Sequence, residues 1–92
     1  MKKYSGLVSV TALRENMKLD DLKRERDCIE HGDLRDSQGR YEKAIAAYDR
    51  ALMIDPEDAD AWYNKGETLF KMGKVTEASK CFDIATKLYL GE

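Results

Sequence analysis

The residues of this chain that are best suited to chemistry are two cysteines and one histidine. Cys28 and His31 are three positions apart, which places both on one face of a helix and suits a metal ion or a thiol–imidazole pair. A structural zinc site needs four ligands, however, and the remaining Cys or His is Cys81, far along the chain. A nucleophilic pair would need an orienting third group and an oxyanion pocket. We therefore predict no metal site, no cofactor and no enzyme, and interpret both cysteines as packed apolar residues.

The charge pattern argues against nucleic acid as a partner. The chain has 16 Lys and Arg residues against 18 Asp and Glu residues, a net charge of −2. Residues 1–24 contain six basic and three acidic side chains, whereas residues 25–58 contain five and ten, so a basic arm precedes an acidic unit. The basic residues of the arm are too diluted by acids to form a binding stripe. The charge is either scattered and solvated, or the arm docks on the acidic unit, or that unit prefers basic ligands.

The cysteine content and the apolar runs predict a cytoplasmic protein. Two cysteines do not make a disulfide framework. The start, MKKYSGLVSVTAL, has an interrupted apolar run with no cleavage signal after it. No stretch approaches the roughly 20 apolar residues that span a bilayer. We expect no contact with a membrane.

The periodicity of the apolar residues predicts an all-α chain. Glycines and the single proline divide it into four helices of about 21–37, 41–54, 59–71 and 75–90. Gly39 and Gly73 are expected to end helices in a left-handed conformation, and Pro56 to prevent the second helix from continuing. Residues 1–19 form an N-terminal arm that we expect to be partly mobile or helical, and residues 20–92 form the domain.

The second half of the chain repeats the first with a shift of 34 residues. Four of the five identities fall on glycines and alanines, which control how closely helices approach each other. This is the pattern of a helical hairpin that cannot bury its own apolar face and stacks on a copy of itself. The identical pairs are Gly32 with Gly66, Gly39 with Gly73, Ala44 with Ala78, Asp49 with Asp83, and Ala51 with Ala85.

The repeat resembles the tetratricopeptide repeat family over residues 25–58 and 59–92. Both units depart from the family pattern: Cys28 stands where a tryptophan is common, Arg35 where a large apolar residue is common, and Leu90 where proline is usual. The residues that carry the resemblance are Gly32, Gly39, Tyr41, Ala44, Tyr48, Ala51 and Pro56 in the first unit, and Trp62, Gly66, Gly73, Ala78, Phe82 and Ala85 in the second.

The resemblance implies stacked antiparallel helical hairpins, an α–α superhelix whose first helices line a concave face. In this family that face mostly holds peptides or extended segments of partner proteins. Here it would be mainly acidic, with some apolar and aromatic side chains for anchoring. Carried over to this chain, the face comprises Arg26, Ile29, Glu30, Asp33, Asp36, Asp60, Tyr63, Asn64, Glu67, Phe70 and Lys71.

A second function from a different class is self-assembly. Two stacked hairpins leave apolar surface at their ends, and exposed apolar area usually marks an interface. The last helix would then form a homodimer through a patch made of Ile84, Leu88, Tyr89 and Leu90. The two hypotheses are compatible with each other, and neither names the partner.

Overall fold

The computed structural model describes residues 19–91, and in them the chain forms four helices and no strand. The helices are α1 (Leu19–Ser37), α2 (Tyr41–Ile54), α3 (Ala59–Lys71) and α4 (Val75–Leu90). The predicted class, all-α helical hairpins, is confirmed. None of these four helices combines the length and the apolar character that crossing a membrane requires. The N-terminal arm, apart from the backbone of residue 19, lies outside the described residues. The expectation that it is partly mobile or helical, and the alternative in which it docks on the acidic unit, therefore stay untested.

The two hairpins turn in the same way. Gly39 ends the first helix of unit one with φ of +76°, and Gly73 does the same in unit two with φ of +82°. In unit one the Arg40 amide donates to the Arg35 carbonyl at 2.9 Å, and in unit two the Lys74 amide donates to the Leu69 carbonyl at 2.9 Å. These bonds satisfy carbonyls that the helix end leaves open, and only glycine adopts the required φ at little cost. The hairpins are therefore closed by tight turns.

The second hairpin begins after a proline, at an aspartate that caps its first helix. Asp55 is extended, with φ of −138°, because it precedes proline. Asp58 then caps α3: its Oδ1 accepts a hydrogen bond from the Ala61 amide at 3.2 Å. Asp60 adds a negative charge in the first turn, where the helix dipole favours it.

The apolar core joins the two hairpins through one tryptophan. One buried cluster consists of Ala51, Leu52 and Ala61, and the other consists of Leu69, Ala78 and Cys81. Trp62 packs against both clusters and donates from its indole Nε1 to the Pro56 carbonyl at 2.8 Å. Alanine at the contact positions lets the helix axes approach closely, so α2 packs on α3 between the hairpins. α1 and α3 also contact each other, and these two helices carry the predicted binding residues.

Candidate interaction surface

The side chains predicted to line the concave surface lie on α1 and α3, and we call this surface the α1–α3 face. Asp33 on α1 is hydrogen-bonded to side chains of two other helices. Its Oδ1 accepts a hydrogen bond from the Tyr48 hydroxyl at 2.5 Å and a longer one from the Asn64 side-chain amide at 3.4 Å. Asp33 therefore links α1 to α2 within the first unit and to α3 in the second. Two of the predicted ligand residues, Asp33 and Asn64, are engaged with each other.

The Tyr48 side chain is buried beneath this face, with 2% of its surface exposed. Burial raises the pKa of its phenol, and the hydrogen bond to Asp33 raises the pKa further. Tyr48 thus remains a neutral hydrogen-bond donor. Its role is to hold the Asp33 carboxylate in place.

A second bridge between α1 and α3 is formed by Asp36. Its Oδ1 accepts from the Thr68 hydroxyl at 2.8 Å, and its Oδ2 pairs with the Lys71 ammonium at 2.5 Å. Thr68 is 1% exposed, so its hydroxyl depends on this partner. The hydrogen bond to Asp36 raises the pKa of Lys71. Asp36 and Lys71, both predicted ligand residues, are therefore engaged in joining the two units.

The aromatic side chains of the face are open to solvent. Tyr63 is 44% exposed and Phe70 is 60% exposed. The Tyr63 ring lies against the half-buried ring of Phe82, with centroids 5.4 Å apart and planes inclined at 49°. This tilted contact fixes the orientation of Tyr63 while leaving part of its ring accessible. Phe70 takes the repeat position that Asp36 holds in the first unit, one sequence repeat earlier.

The remaining predicted residues fall into two groups. Arg26, Glu30 and Glu67 are exposed, and within residues 19–91 they form no hydrogen bond or ion pair. Ile29 is half-buried and packs against the core cluster of Ala51, Leu52 and Ala61. Ile29 thus contributes to the stack as well as to the surface.

The predicted self-association patch on α4 is partly exposed. Ile84, Tyr89 and Leu90 are 36%, 58% and 65% exposed, and Leu88 is half-buried. The Tyr89 hydroxyl donates a hydrogen bond to Asp60 Oδ1. Burial raises the pKa of the Tyr89 phenol, and the Asp60 carboxylate raises it further. Asp60, one of the predicted peptide-binding residues, is thus in contact with the α4 patch.

The structure places Cys81 apart from Cys28 and His31. Cys28 is half-buried and His31 is exposed, and both line a shallow groove between α1 and α2 with Arg50 and Met53. Cys81 lies in the second core cluster, and burial raises the pKa of its thiol. A thiol with a raised pKa is a poor nucleophile and a poor metal ligand at neutral pH.

Sequence reasoning missed a cluster of buried carboxyl groups. Glu25, Asp55 and Asp58 each offer an oxygen within 4.8 Å of the others, and they are 6%, 1% and 8% exposed. Burial, followed by the hydrogen bond and charge of Asp58 and the charge of Asp55, together raise the pKa of Glu25 to about 9. Asp55 and Asp58 are recognisable in the sequence as turn and capping residues. Glu25 is 30 residues away from Asp55, and no sequence pattern places it beside them.

These features define a helical-repeat protein, in which one hairpin stacks on another and the first helices share an open face. The comparisons with known proteins agree with this class. The family model of the TPR repeat matches residues 32–73, and that of the tetratricopeptide repeat matches residues 59–89. The chain belongs to the tetratricopeptide repeat family. Repeats of this family generally mediate protein–protein interactions and are typically not enzymes.

Two curated proteins are similar to this chain over different lengths. An uncharacterised protein of Methanocaldococcus jannaschii is 37% identical over 46 residues, which cover 50% of this chain and 54% of that protein. Superkiller protein 3 of Schizosaccharomyces pombe is 34% identical over 87 residues, which cover 89% of this chain and 6% of that protein. The chain thus spans about half of one relative and a small part of the other.

Proposed function

We propose that the α1–α3 face binds an extended segment of a partner protein. The observation that carries this proposal is the line of exposed side chains on α3. Tyr63, Glu67 and Phe70 are spaced at i, i+4 and i+7, so they share one face of the helix, and all three are exposed. Aromatic rings that are held at one edge and open at the other are efficient anchors for a peptide.

The charges of the face favour a segment that has basic as well as apolar side chains. Asp36 is already paired with Lys71, and Asp33 already accepts two hydrogen bonds. Glu30 and Glu67 remain exposed, with Arg26 as the opposing charge. A lysine or arginine next to an apolar anchor would meet Glu67 between the two aromatic rings. The expected partner is therefore a basic, partly apolar segment.

Selection from a random 12-residue peptide display library provides the test. Enriched peptides should contain an apolar residue and Lys or Arg, and Tyr63→Ala and Phe70→Ala should each weaken their binding at least about tenfold. Met53→Ala is the matched control, because Met53 is 84% exposed on α2, away from this face. The proposal is contradicted if the selected peptides bind both aromatic variants as well as the wild type.

A second candidate function is homodimerisation through the α4 patch. Leu90, Tyr89 and Ile84 are exposed apolar side chains on adjacent turns of the last helix, which supports this candidate. Sedimentation of the wild type should then show a dimer, and Leu88→Glu and Leu90→Glu should show a monomer of lower melting temperature. Met53→Glu is the control for adding a charge at an exposed site. A monomeric wild type at high protein concentration would exclude this function.

Two further predictions accompany the proposed function. The cytoplasm is the compartment that the cysteine content favours. The division of the chain into an N-terminal arm, residues 1–19, and a two-repeat domain, residues 20–92, is the organisation we propose for the whole sequence. Limited proteolysis checks this division, since cleavage is expected within the arm before the hairpins.

A further inference from the structure

The buried carboxyl cluster joins three separate parts of the chain. Glu25 belongs to α1, Asp55 directly follows α2, and Asp58 caps α3. Their carboxylate oxygens lie within 4.8 Å of one another. The cluster is therefore at the point where the first hairpin meets the second.

One oxygen of the cluster has no hydrogen-bond partner. Glu25 Oε2 is fully buried and unpaired, in a side chain that is 6% exposed. A buried carboxylate without a partner is costly, and two neighbouring carboxylates increase the cost. Asp58 Oδ1 accepts from the Ala61 amide, and Asp55 Oδ1 accepts from the Glu57 amide at 3.1 Å, so both aspartates are held in position. The unpaired Glu25 oxygen therefore lies beside two carboxylates that are fixed in position.

We propose that Glu25, Asp55 and Asp58 bind a hard divalent cation of the calcium class. Carboxylate oxygens are the ligands that Ca²⁺ and Mg²⁺ prefer. Ca²⁺ accepts mono- or bidentate carboxylates in flexible geometry, whereas Mg²⁺ requires near-ideal octahedral geometry and keeps several waters. Three carboxylates buried to at least nine-tenths suit the larger, more adaptable ion. The bound ion would tie α1 to the turn that starts α3 and so stabilise the stacking of the hairpins.

The chain contains its own reporter for this site. Trp62 is the only tryptophan, and its indole donates to the carbonyl of Pro56, between Asp55 and Asp58. Terbium, a luminescent substitute for calcium, should therefore be sensitised when tryptophan is excited. We expect saturable Tb³⁺ luminescence that Ca²⁺ displaces. Calcium at 100 times its Kd should raise the melting temperature by on the order of 10 °C relative to EDTA.

Two substitutions test the assignment of the ligands. Glu25→Gln removes one charge with little change of shape, and Asp58→Asn keeps the ability to cap α3. Each should weaken Tb³⁺ binding at least about tenfold, since even outer-shell partners of a metal are typically worth that much. Glu30→Gln is the matched control, an exposed glutamate on the same helix. Circular dichroism in EDTA establishes that each variant is folded.

Three results overturn the proposal. One is the absence of tryptophan-sensitised Tb³⁺ luminescence together with equal melting temperatures in Ca²⁺ and EDTA. Another is luminescence that survives both Glu25→Gln and Asp58→Asn, which would mean that the ion binds elsewhere. The third is an equal loss of binding in Glu30→Gln, which would indicate a diffuse response to charge. If Glu25→Gln does not fold, Asp58→Asn decides between these results.

Discussion

The ring of Tyr48 lies directly against the backbone of Gly32. A Cβ atom on Gly32 would be 2.7 Å from Tyr48 Cδ1 and 2.8 Å from Cζ, closer than real Cβ contacts allow. The second unit repeats this relationship, with a Cβ on Gly66 2.7 Å from Phe82 Cε1. The glycine of each first helix thus makes room for the aromatic ring of the second helix. This contact sets the spacing of both hairpins.

Replacing Gly32 by alanine should destabilise the protein. Tyr48 is 2% exposed and hydrogen-bonded, so its ring has no space to move, and we expect a loss of about 1–3 kcal/mol in the free energy of unfolding. Gly66→Ala is the matched comparison and should cost less, because Phe82 is half-buried and has no hydroxyl to keep in place. Urea denaturation measures both. Equal losses would show that the hydrogen bond and the burial of Tyr48 do not matter.

Replacing Tyr48 by phenylalanine should weaken the link between α1 and α2. Phenylalanine occupies the equivalent position in the second unit, so the ring fits and only the hydroxyl is lost. A hydrogen bond to a carboxylate contributes more than one between neutral groups, and we expect a loss of about 1.5–3 kcal/mol in unfolding free energy. Tyr63→Phe is the control, because Tyr63 is 44% exposed. Finding the same change for both tyrosines would argue against the Asp33 contact.

Replacing Asp36 by asparagine should loosen the contact between α1 and α3. The Lys71 ion pair disappears and the buried Thr68 hydroxyl retains only a neutral acceptor. A loss of about 1–3 kcal/mol in unfolding free energy is expected, mostly through Thr68, because the pair with exposed Lys71 is screened by solvent. A double-mutant cycle with Thr68→Val and another with Lys71→Met separate the two parts. A larger coupling for Lys71 than for Thr68 would reverse this assignment.

The stability of the metal-free protein should fall as the pH rises. Folding raises the pKa of Glu25 from 4.5 to about 9, because the side chain is buried and faces Asp58, Asp55 and Asp60. The folded protein therefore holds a proton that the unfolded chain releases. This contribution is complete below pH 4.5 and is lost as the pH rises through about 9.

Denaturation in EDTA between pH 4.5 and 9 tests this dependence. The difference between wild type and Glu25→Gln should change by no more than about 1.4 kcal/mol per pH unit, the limit for one proton. Glu30→Gln is the control and should follow the wild type. A difference that stays constant over this range would mean that Glu25 titrates alike in both states.

The helices and their ends were largely predictable because their causes are local. Gly39 and Gly73 end helices through their own backbone conformation, and Asp58 caps α3 within three residues of its partner. The first helix begins at residue 19, earlier than the predicted 21, since Asp20 and Asp21 lie inside its first turn. The repeat was predictable because glycine and alanine recur with one period. The assignment of α1 and α3 to a shared face came from the resemblance to the family, and their mutual contact is consistent with it.

The sequence alone thus determined the fold class, the repeat and the class of function. The tertiary structure decided which side chains of the face are available. In the sequence, Asp33, Asp36, Asp60, Asn64 and Lys71 appeared equivalent to Glu30 and Glu67 as polar surface residues. Each of the five nevertheless contacts a partner 15 to 35 residues away. The cluster of Glu25, Asp55 and Asp58 likewise forms because the fold brings together residues that are distant in the sequence. Such contacts depend on how the helices pack against one another. Contacts between side chains that are distant in the sequence produce no periodic pattern from which they could be predicted.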